Sequence, residues 1–351
     1  MAEKPGEFDR QQMHRRTTGA SHRGSEESTT QHVSVKAKQR TRSAHKYLLN
    51  PPVLAIYTMI VMAVGGLVAP DPVQSGNDTA YLTLLIVEVM AFVLPAILLI
   101  KLRPPQFVNR LQLRLFSLQR VPLLLCVSLF MICALSLFKL ILQGLDIYHP
   151  TARILWGIST PVLGIGALDS TYTLLVFVLI PAVAQGFYHQ GVMYGHYSSV
   201  GVVASVVSSA LFGAMSQFTV GDFLVQLLAG LILSFTVYLC RSVWAAVVVR
   251  LMYHLFVVSF ERYIWSFVNK PDGMIFFSFV AGTLTLLFLI LSAGEAQHIM
   301  AARSFSVAQS QEKSQHFLSA REQLSAVFVD YRTAVCVLLY IVALFVLYNR
   351  L

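Results

Sequence analysis

The chain contains 351 residues, of which 56% are hydrophobic and only 12% are charged, and its mean hydropathy is +0.65. A soluble globular domain has about twice this charged fraction, roughly 25%, so the composition excludes a soluble enzyme or binding domain. Several apolar runs reach the roughly 20 residues that a helix needs to cross a bilayer. Such runs favour helices over a β-barrel, whose strands would show short alternating patterns. We therefore predict an all-α polytopic membrane protein.

Residues 1–46 are predicted to form a disordered, basic tail on the cytoplasmic side. They are rich in Ser, Thr, Gln, His and Arg and show almost no aliphatic periodicity. They carry ten Lys or Arg against five Asp or Glu. The basic cluster KAKQRTRSAHK adjoins the first apolar run, which favours a cytoplasmic location and contact with anionic lipid head groups. Because membrane proximity explains this charge, we expect no nucleic-acid partner.

The rest of the chain is predicted to form about eight or nine transmembrane helices. Residues 47–294 form the main transmembrane domain, and residues 333–351 form a C-terminal membrane segment that is short for a span. The loop KLRPPQFVNRLQLRLFSLQR has five basic and no acidic residues, so the positive-inside rule places it on the side of the tail. The nine predicted segments lie near residues 52–69, 81–101, 121–143, 171–193, 201–217, 223–240, 243–261, 274–293 and 333–348.

Residues 295–332 are predicted to form a cytoplasmic amphipathic segment. Phe317, Leu324 and Phe328 recur at roughly helical spacing, which is typical of a helix with one apolar face. Such a helix lies on the membrane surface or serves as a docking surface for a partner.

No cofactor or metal site is predicted. The four cysteines lie inside apolar runs and form no C-x-x-C pair, as expected of buried small hydrophobic residues. His189, His196 and His254 are potential zinc ligands, but no acid or cysteine completes an obvious set.

Three charged residues are predicted to lie inside the membrane. Glu88, Lys139 and Arg250 each fall within an apolar segment, where a charge needs a partner. We expect Glu88 to form a structural pair with Arg250 or Lys139, because one contact would then compensate two desolvated charges. A proton relay is the alternative.

Polar and small residues are concentrated in the fourth and fifth predicted segments. The stretch PAVAQGFYHQGVMYG places Gln185, His189 and Gln190 within six positions of each other. Small residues recur four positions apart in both segments, a pattern that lets membrane helices approach closely. We therefore predict that these two helices pack tightly through Gly191, Gly195, Ser209 and Gly213.

The spacing of three motifs between Pro181 and His254 resembles the core of the CPBP family. This family comprises the CAAX-protease and bacteriocin-processing (Abi) intramembrane proteins. It typically has E-E-x-x-x-R on one helix, F-x-x-x-H on the next and H-x-x-x-N on a later helix. Here the motifs read QGFYHQ at 185–190, FGAMS at 212–216 and RLMYH at 250–254. The resemblance implies a CPBP-like helical core at about residues 171–261.

The chain departs from the family at the positions that carry the chemistry. The resemblance implies that active members use the first glutamate to activate a water and the histidines to assist it. A glutamine amide cannot take a proton from water in the working pH range, so we predict a pseudo-protease without catalytic residues. The degenerate motif positions are Gln185, Gly186, Gln190, Phe212, Ser216, Arg250 and His254.

Three functions follow as hypotheses. The first is a non-catalytic scaffold that binds and regulates or stabilises a membrane or cell-envelope protein, for example a cell-wall hydrolase or a sensor kinase. The second is a peptidase with atypical residues, in which Ser216 pairs with His189 or His254. The third is a small-molecule or ion transporter that uses the intramembrane charges. The resemblance implies a bacterial cytoplasmic membrane, and the basic tail predicts that the N-terminus lies inside.

Overall fold

A computed structural model describes residues 50–68, 78–148, 171–309 and 318–348, so the predicted tail at 1–46 lies outside the described residues. The described part is helical and contains no strand. The predicted all-α membrane fold is therefore confirmed. Ten helices are present in these ranges, two of which contain π-helical turns. They are α1 (Pro51–Val68), α2 (78–102), α3 (Val121–Gly144), α4 (171–197), α5 (Val202–Ala214), α6 (Val220–Cys240), α7 (Val243–Val268), α8 (Gly273–Gln309), α9 (Ala320–Phe328) and α10 (Tyr331–Tyr348).

Six of the described helices are long and apolar enough to cross a membrane, namely α2, α3, α4, α6, α7 and α8. The pair α9 and α10 is bent by 65° and makes a seventh span if it is counted as one. The predicted number of eight or nine spans is therefore not confirmed. The segments predicted at 52–69 and 201–217 do form helices, but their apolar parts are shorter than a bilayer requires.

The short helix α5 is one of the predicted segments that the structure does not show to be long enough for a span. It has 13 residues and is therefore about 20 Å long, whereas the hydrocarbon core is about 30 Å thick. Polar Ser216, Gln217 and Thr219 follow it directly, and Thr219 caps the start of α6 by accepting a hydrogen bond from Asp222 N at 2.9 Å.

Small side chains hold α4, α5 and α6 together. Ser234 of α6 donates to Ser209 of α5 at 3.1 Å, and Ser209 donates to the carbonyl of His189 in α4 at 2.7 Å. A Cβ added at Gly230 of α6 would lie 2.8 Å from the backbone Cα of Ala210. Close backbone approach and interhelical hydrogen bonds replace the hydrophobic effect as the packing force inside a membrane.

Replacing Gly230 with alanine is expected to lower the free energy of unfolding by about 1–3 kcal/mol, because the added methyl group overlaps the backbone of α5. Gly282→Ala in α8 is the matched control, since nothing lies within 4 Å of its added Cβ. Unfolding of both purified variants by SDS titration in micelles checks this. Equal stability of the two variants would contradict the packing described.

The helix pair α9–α10 packs on both ends of α5. At the N-terminus of α5, Gln323 Oε1 accepts hydrogen bonds from the backbone N–H groups of Val203 and Ala204 at 3.0 and 3.4 Å. At the other end, Tyr340 donates to the carbonyl of Gln217 at 2.7 Å. The buried sulfurs of Cys336 and Met215 lie 3.7 Å apart.

The predicted amphipathic segment at 295–332 is divided in the structure. Its first part continues α8 to Gln309, and Phe317 lies outside the described residues. In α9 the buried face consists of Gln323 and Val327, whereas Phe328 is exposed. Gln323, which caps the N-terminus of α5, thus faces the bundle, while the exposed Phe328 leaves the predicted membrane-surface or docking role of this segment a prediction.

Candidate functional site

A chain of hydrogen bonds joins three helices at the first motif. Gln185 of α4 donates from Nε2 to Glu88 Oε1 of α2 at 3.1 Å, and Arg250 Nη1 of α7 donates to Gln185 Oε1 at 2.7 Å. All three side chains are buried. The predicted association of Glu88 with Arg250 is therefore mediated by an amide, and Lys139 is not part of it.

The Gln185 amide suits a position between Glu88 and Arg250 because it both donates and accepts hydrogen bonds. A guanidinium group only donates and an ionised carboxylate only accepts, so an amide between them satisfies both. A glutamate at this position would instead bring a second carboxylate towards Glu88. The negative charge of Glu88 and the positive charge of Arg250 compensate each other within the membrane.

Glu88 and Gln185 each directly precede a π-helical segment, Val89–Val93 in α2 and Gly186–Met193 in α4. Such segments are frequent at functional sites because they alter the regular carbonyl pairing of the helix. Hydroxyl groups of neighbouring helices donate hydrogen bonds to backbone carbonyls of both π-helical segments. Thr58 of α1 donates to the carbonyl of Ala91 at 3.0 Å, and Ser209 donates to that of His189.

His189 and Gln190 are buried one turn beyond Gln185. The His189 ring packs against Phe92 and Tyr188, with ring centroids 5.5 and 4.9 Å away. Among the described residues, no side-chain hydrogen bond reaches either ring nitrogen of His189, either amide atom of Gln190, or Glu88 Oε2. Buried polar groups are normally paired, so these atoms are available for a further hydrogen-bonding group.

The second and third motifs contribute no reactive pair. The Ser216 hydroxyl donates to the carbonyl of Gly213 at 2.8 Å rather than to a histidine, so the hypothetical serine–histidine pair is not formed. Phe212 is buried and stacks on Tyr197, with ring centroids 6.5 Å apart. His254 is half-buried and lies one turn beyond Arg250.

Two glycines that follow the first motif, Gly191 and Gly195, pack against α7 and a short 3-10 segment, Pro105–Leu111. A Cβ at Gly191 would lie 3.6 Å from Val243, and one at Gly195 would lie 3.2 Å from the carbonyl of Arg110. The prediction that Gly191 and Gly195 pack against the fifth segment is therefore wrong. Gly213 does lie at that contact, since its Cβ would lie 3.3 Å from His189 Nδ1.

Gly186 stands where the family has its second glutamate, and it has no room for a side chain. A Cβ there would lie 2.8 Å from Val247 Cγ2. Gly186→Ala is expected to cost about 1–3 kcal/mol of unfolding free energy through overpacking, and Gly186→Glu more. Val247→Ala in the same chain should restore stability to Gly186→Ala, as measured by SDS titration. Failure of the second change to help would place the strain elsewhere.

A direct ion pair, largely buried, lies away from the motifs. Lys139 of α3 donates to Glu261 of α7, and the Tyr148 and Tyr253 rings lie 5.7 and 5.8 Å from its ammonium group. The sequence analysis missed Glu261 as the partner. Its position at the end of the predicted 243–261 segment was the only available signal.

Residues 167–256 match a family model described as Type II CAAX prenyl endopeptidase Rce1-like. The match covers about a quarter of the chain, contains all three motifs and nearly coincides with the predicted core at 171–261. The resemblance to the CPBP family is therefore confirmed for this segment. Glu88 and Lys139 lie outside the matched range. No significant match was found among curated proteins or solved structures.

Proposed function

We propose that this chain, whose core is similar to a family of CAAX prenyl endopeptidases, is a non-catalytic membrane protein that binds and regulates or stabilises a partner. One observation carries the proposal. The side chain at the position of the family's first glutamate is Gln185, and it is held between Glu88 and Arg250. A residue fixed in this way joins α2, α4 and α7.

The chemistry of the motif positions supports this proposal. Activation of water requires a group that can accept its proton, and the Gln185 amide is not such a group. The arginine at position 250 replaces a histidine with a side chain that remains protonated. The Ser216 hydroxyl is engaged by its own helix. The three positions therefore favour a preserved binding fold over hydrolysis.

The proposed partner is a membrane or cell-envelope protein, and the proposed location is a cytoplasmic membrane with the N-terminus inside. The basic loop between α2 and α3 supports this orientation through the positive-inside rule. Lipid-facing helices also provide contact area. In α8, Ile275, Phe279 and Ile290 are all exposed, and such a face can accept lipid chains or another transmembrane helix.

Crosslinking in native membranes, followed by mass spectrometry of the purified chain, tests the proposal. We expect one membrane or envelope protein to be recovered repeatedly, with defined crosslinks to this chain. Its yield should fall in a folded Gln185→Leu variant and be unchanged in Arg262→Ala, whose side chain is exposed on α7. Repeated recovery of the chain alone would contradict the proposal.

A peptidase with a relocated base is the second candidate, and the contact between Glu88 and Gln185 favours it. This contact brings a carboxylate to the position of the family glutamate, with Glu88 Oε2 available for hydrogen bonding. A prenylated CAAX peptide is the first substrate to test, because the matched family is named for it. Cleavage that depends on Glu88 would establish this candidate.

A further inference from the structure

The loop between α2 and α3 is a fixed part of one end of the helix bundle. The backbone N–H of Val243, at the start of α7, donates to the carbonyl of Gln112 at 3.0 Å. The indole N–H of the next residue, Trp244, donates to the carbonyl of Leu113 at 3.0 Å. The loop is therefore attached to the first turn of α7.

This attachment gathers positive charge at one place. Arg110 and Arg114 are exposed on either side of the anchored residues. Arg120 donates to the carbonyl of Leu239 at 3.2 Å, next to the exposed Arg241 at the end of α6. Residues 101–120 contain five basic residues and no acidic one. Glu295 of α8 is the acidic residue of that helix at this end of the bundle. Its position follows from the next residue, Ala296, which packs in the same core cluster as the start of α3.

Exposed apolar side chains alternate with these arginines. Leu115 and Leu118 are 79% and 84% exposed, and Leu118 begins the candidate span that contains α3. Trp244, which is 39% exposed, is attached to the same loop through the carbonyl of Leu113. Tryptophan is enriched at the boundary between hydrocarbon and head groups. The loop therefore lies at a membrane interface.

We propose that this surface, formed by Arg110, Arg114 and Arg241 with Leu115 and Leu118, binds the phosphate head groups of anionic phospholipids. Guanidinium groups bind phosphate oxygens through paired, charge-assisted hydrogen bonds. The two leucines enter the acyl boundary below the phosphates, as the apolar face of an interfacial segment does. A soluble anion would use the arginines but not the leucines, so the combination favours a lipid.

The test compares two double variants of the full chain that each remove two positive charges. Arg110→Ala with Arg114→Ala alters the proposed surface. Arg262→Ala with Lys270→Ala alters exposed residues near the other end of α7, because Arg262 lies ~28 Å along the helix from Val243. Each protein is purified in micelles with mixed phosphatidylglycerol and phosphatidylcholine, and native mass spectrometry measures the lipids retained.

We expect the unaltered chain and the Arg262/Lys270 control to retain phosphatidylglycerol preferentially. The Arg110/Arg114 variant should lose this preference by roughly tenfold or more, since each basic group contributes independently to the attraction. Leu115→Ser with Leu118→Ser should weaken retention while keeping every charge. Equal retention by the two charge variants, or displacement by inorganic phosphate as effective as by dispersed phosphatidylglycerol, would overturn the proposal.

Discussion

Replacing Glu88 with leucine is expected to lower the free energy of unfolding by about 3–5 kcal/mol. The change leaves the buried Arg250 guanidinium without a compensating negative charge, and an uncompensated charge of this kind is strongly destabilising. It also removes the acceptor of the Gln185 Nε2 hydrogen bond. SDS titration of the purified variant in micelles measures the effect, with unfolding monitored by the circular dichroism of the helices.

Two further variants separate charge from hydrogen bonding at this site. Glu88→Gln retains an oxygen that can accept the hydrogen bond from Gln185. The free energy of unfolding that this variant loses therefore reports the contribution of the charge alone. Glu88→Leu combined with Arg250→Met removes both charges and should recover most of the stability lost in the single variant, because replacing both partners of a buried pair by apolar groups is often neutral. If the double variant were less stable than Glu88→Leu, the proposed charge compensation would be wrong.

Replacing Lys139 with methionine is expected to have an effect of similar size, about 3–5 kcal/mol. Glu261 would lose its cationic partner, and its side chain is only 13% exposed, so its charge would remain poorly solvated. The interactions of the ammonium group with the Tyr148 and Tyr253 rings would be lost as well. The same SDS titration measures the change.

The control for Lys139→Met is Lys270→Met, which removes the same side chain from an exposed position. Exposed charges contribute little to stability, so the control should unfold with the unaltered chain. Lys139→Met with Glu261→Leu should be more stable than Lys139→Met alone. Equal losses in Lys139→Met and Lys270→Met would show that the ion pair does not stabilise the fold.

The sequence predicted the fold class and the positions of the helices well, because long apolar runs in a membrane must be helical. The predicted number of spans is not confirmed for the described residues, because hydropathy does not show that α5 ends at Ala214. The sequence did not separate α9 from the residues around it, since Ser319, Gln323 and Val327 form no long apolar run. These outcomes depend on tertiary packing.

The motif positions could be read from spacing, but their contacts could not. Nothing in the sequence near Gln185 indicates that its partner is Glu88, 97 positions earlier. The alternatives for Glu88 were Arg250 and Lys139, and the structure adds the amide that stands between Glu88 and Arg250. Lys139 pairs with Glu261, a residue that hydropathy places at the edge of a span. Long-range pairing of polar groups inside a helix bundle leaves no local signal.

We propose that hydrogen bonds among Glu88, Gln185 and Arg250 join α2, α4 and α7 and that the protein does not hydrolyse peptides. The most direct test is release of fluorescence from quenched peptides by the purified chain in proteoliposomes, beside Glu88→Gln as the matched variant. We predict equal background signals from the two proteins. Cleavage by the unaltered chain that disappears in a folded Glu88→Gln variant would contradict the claim.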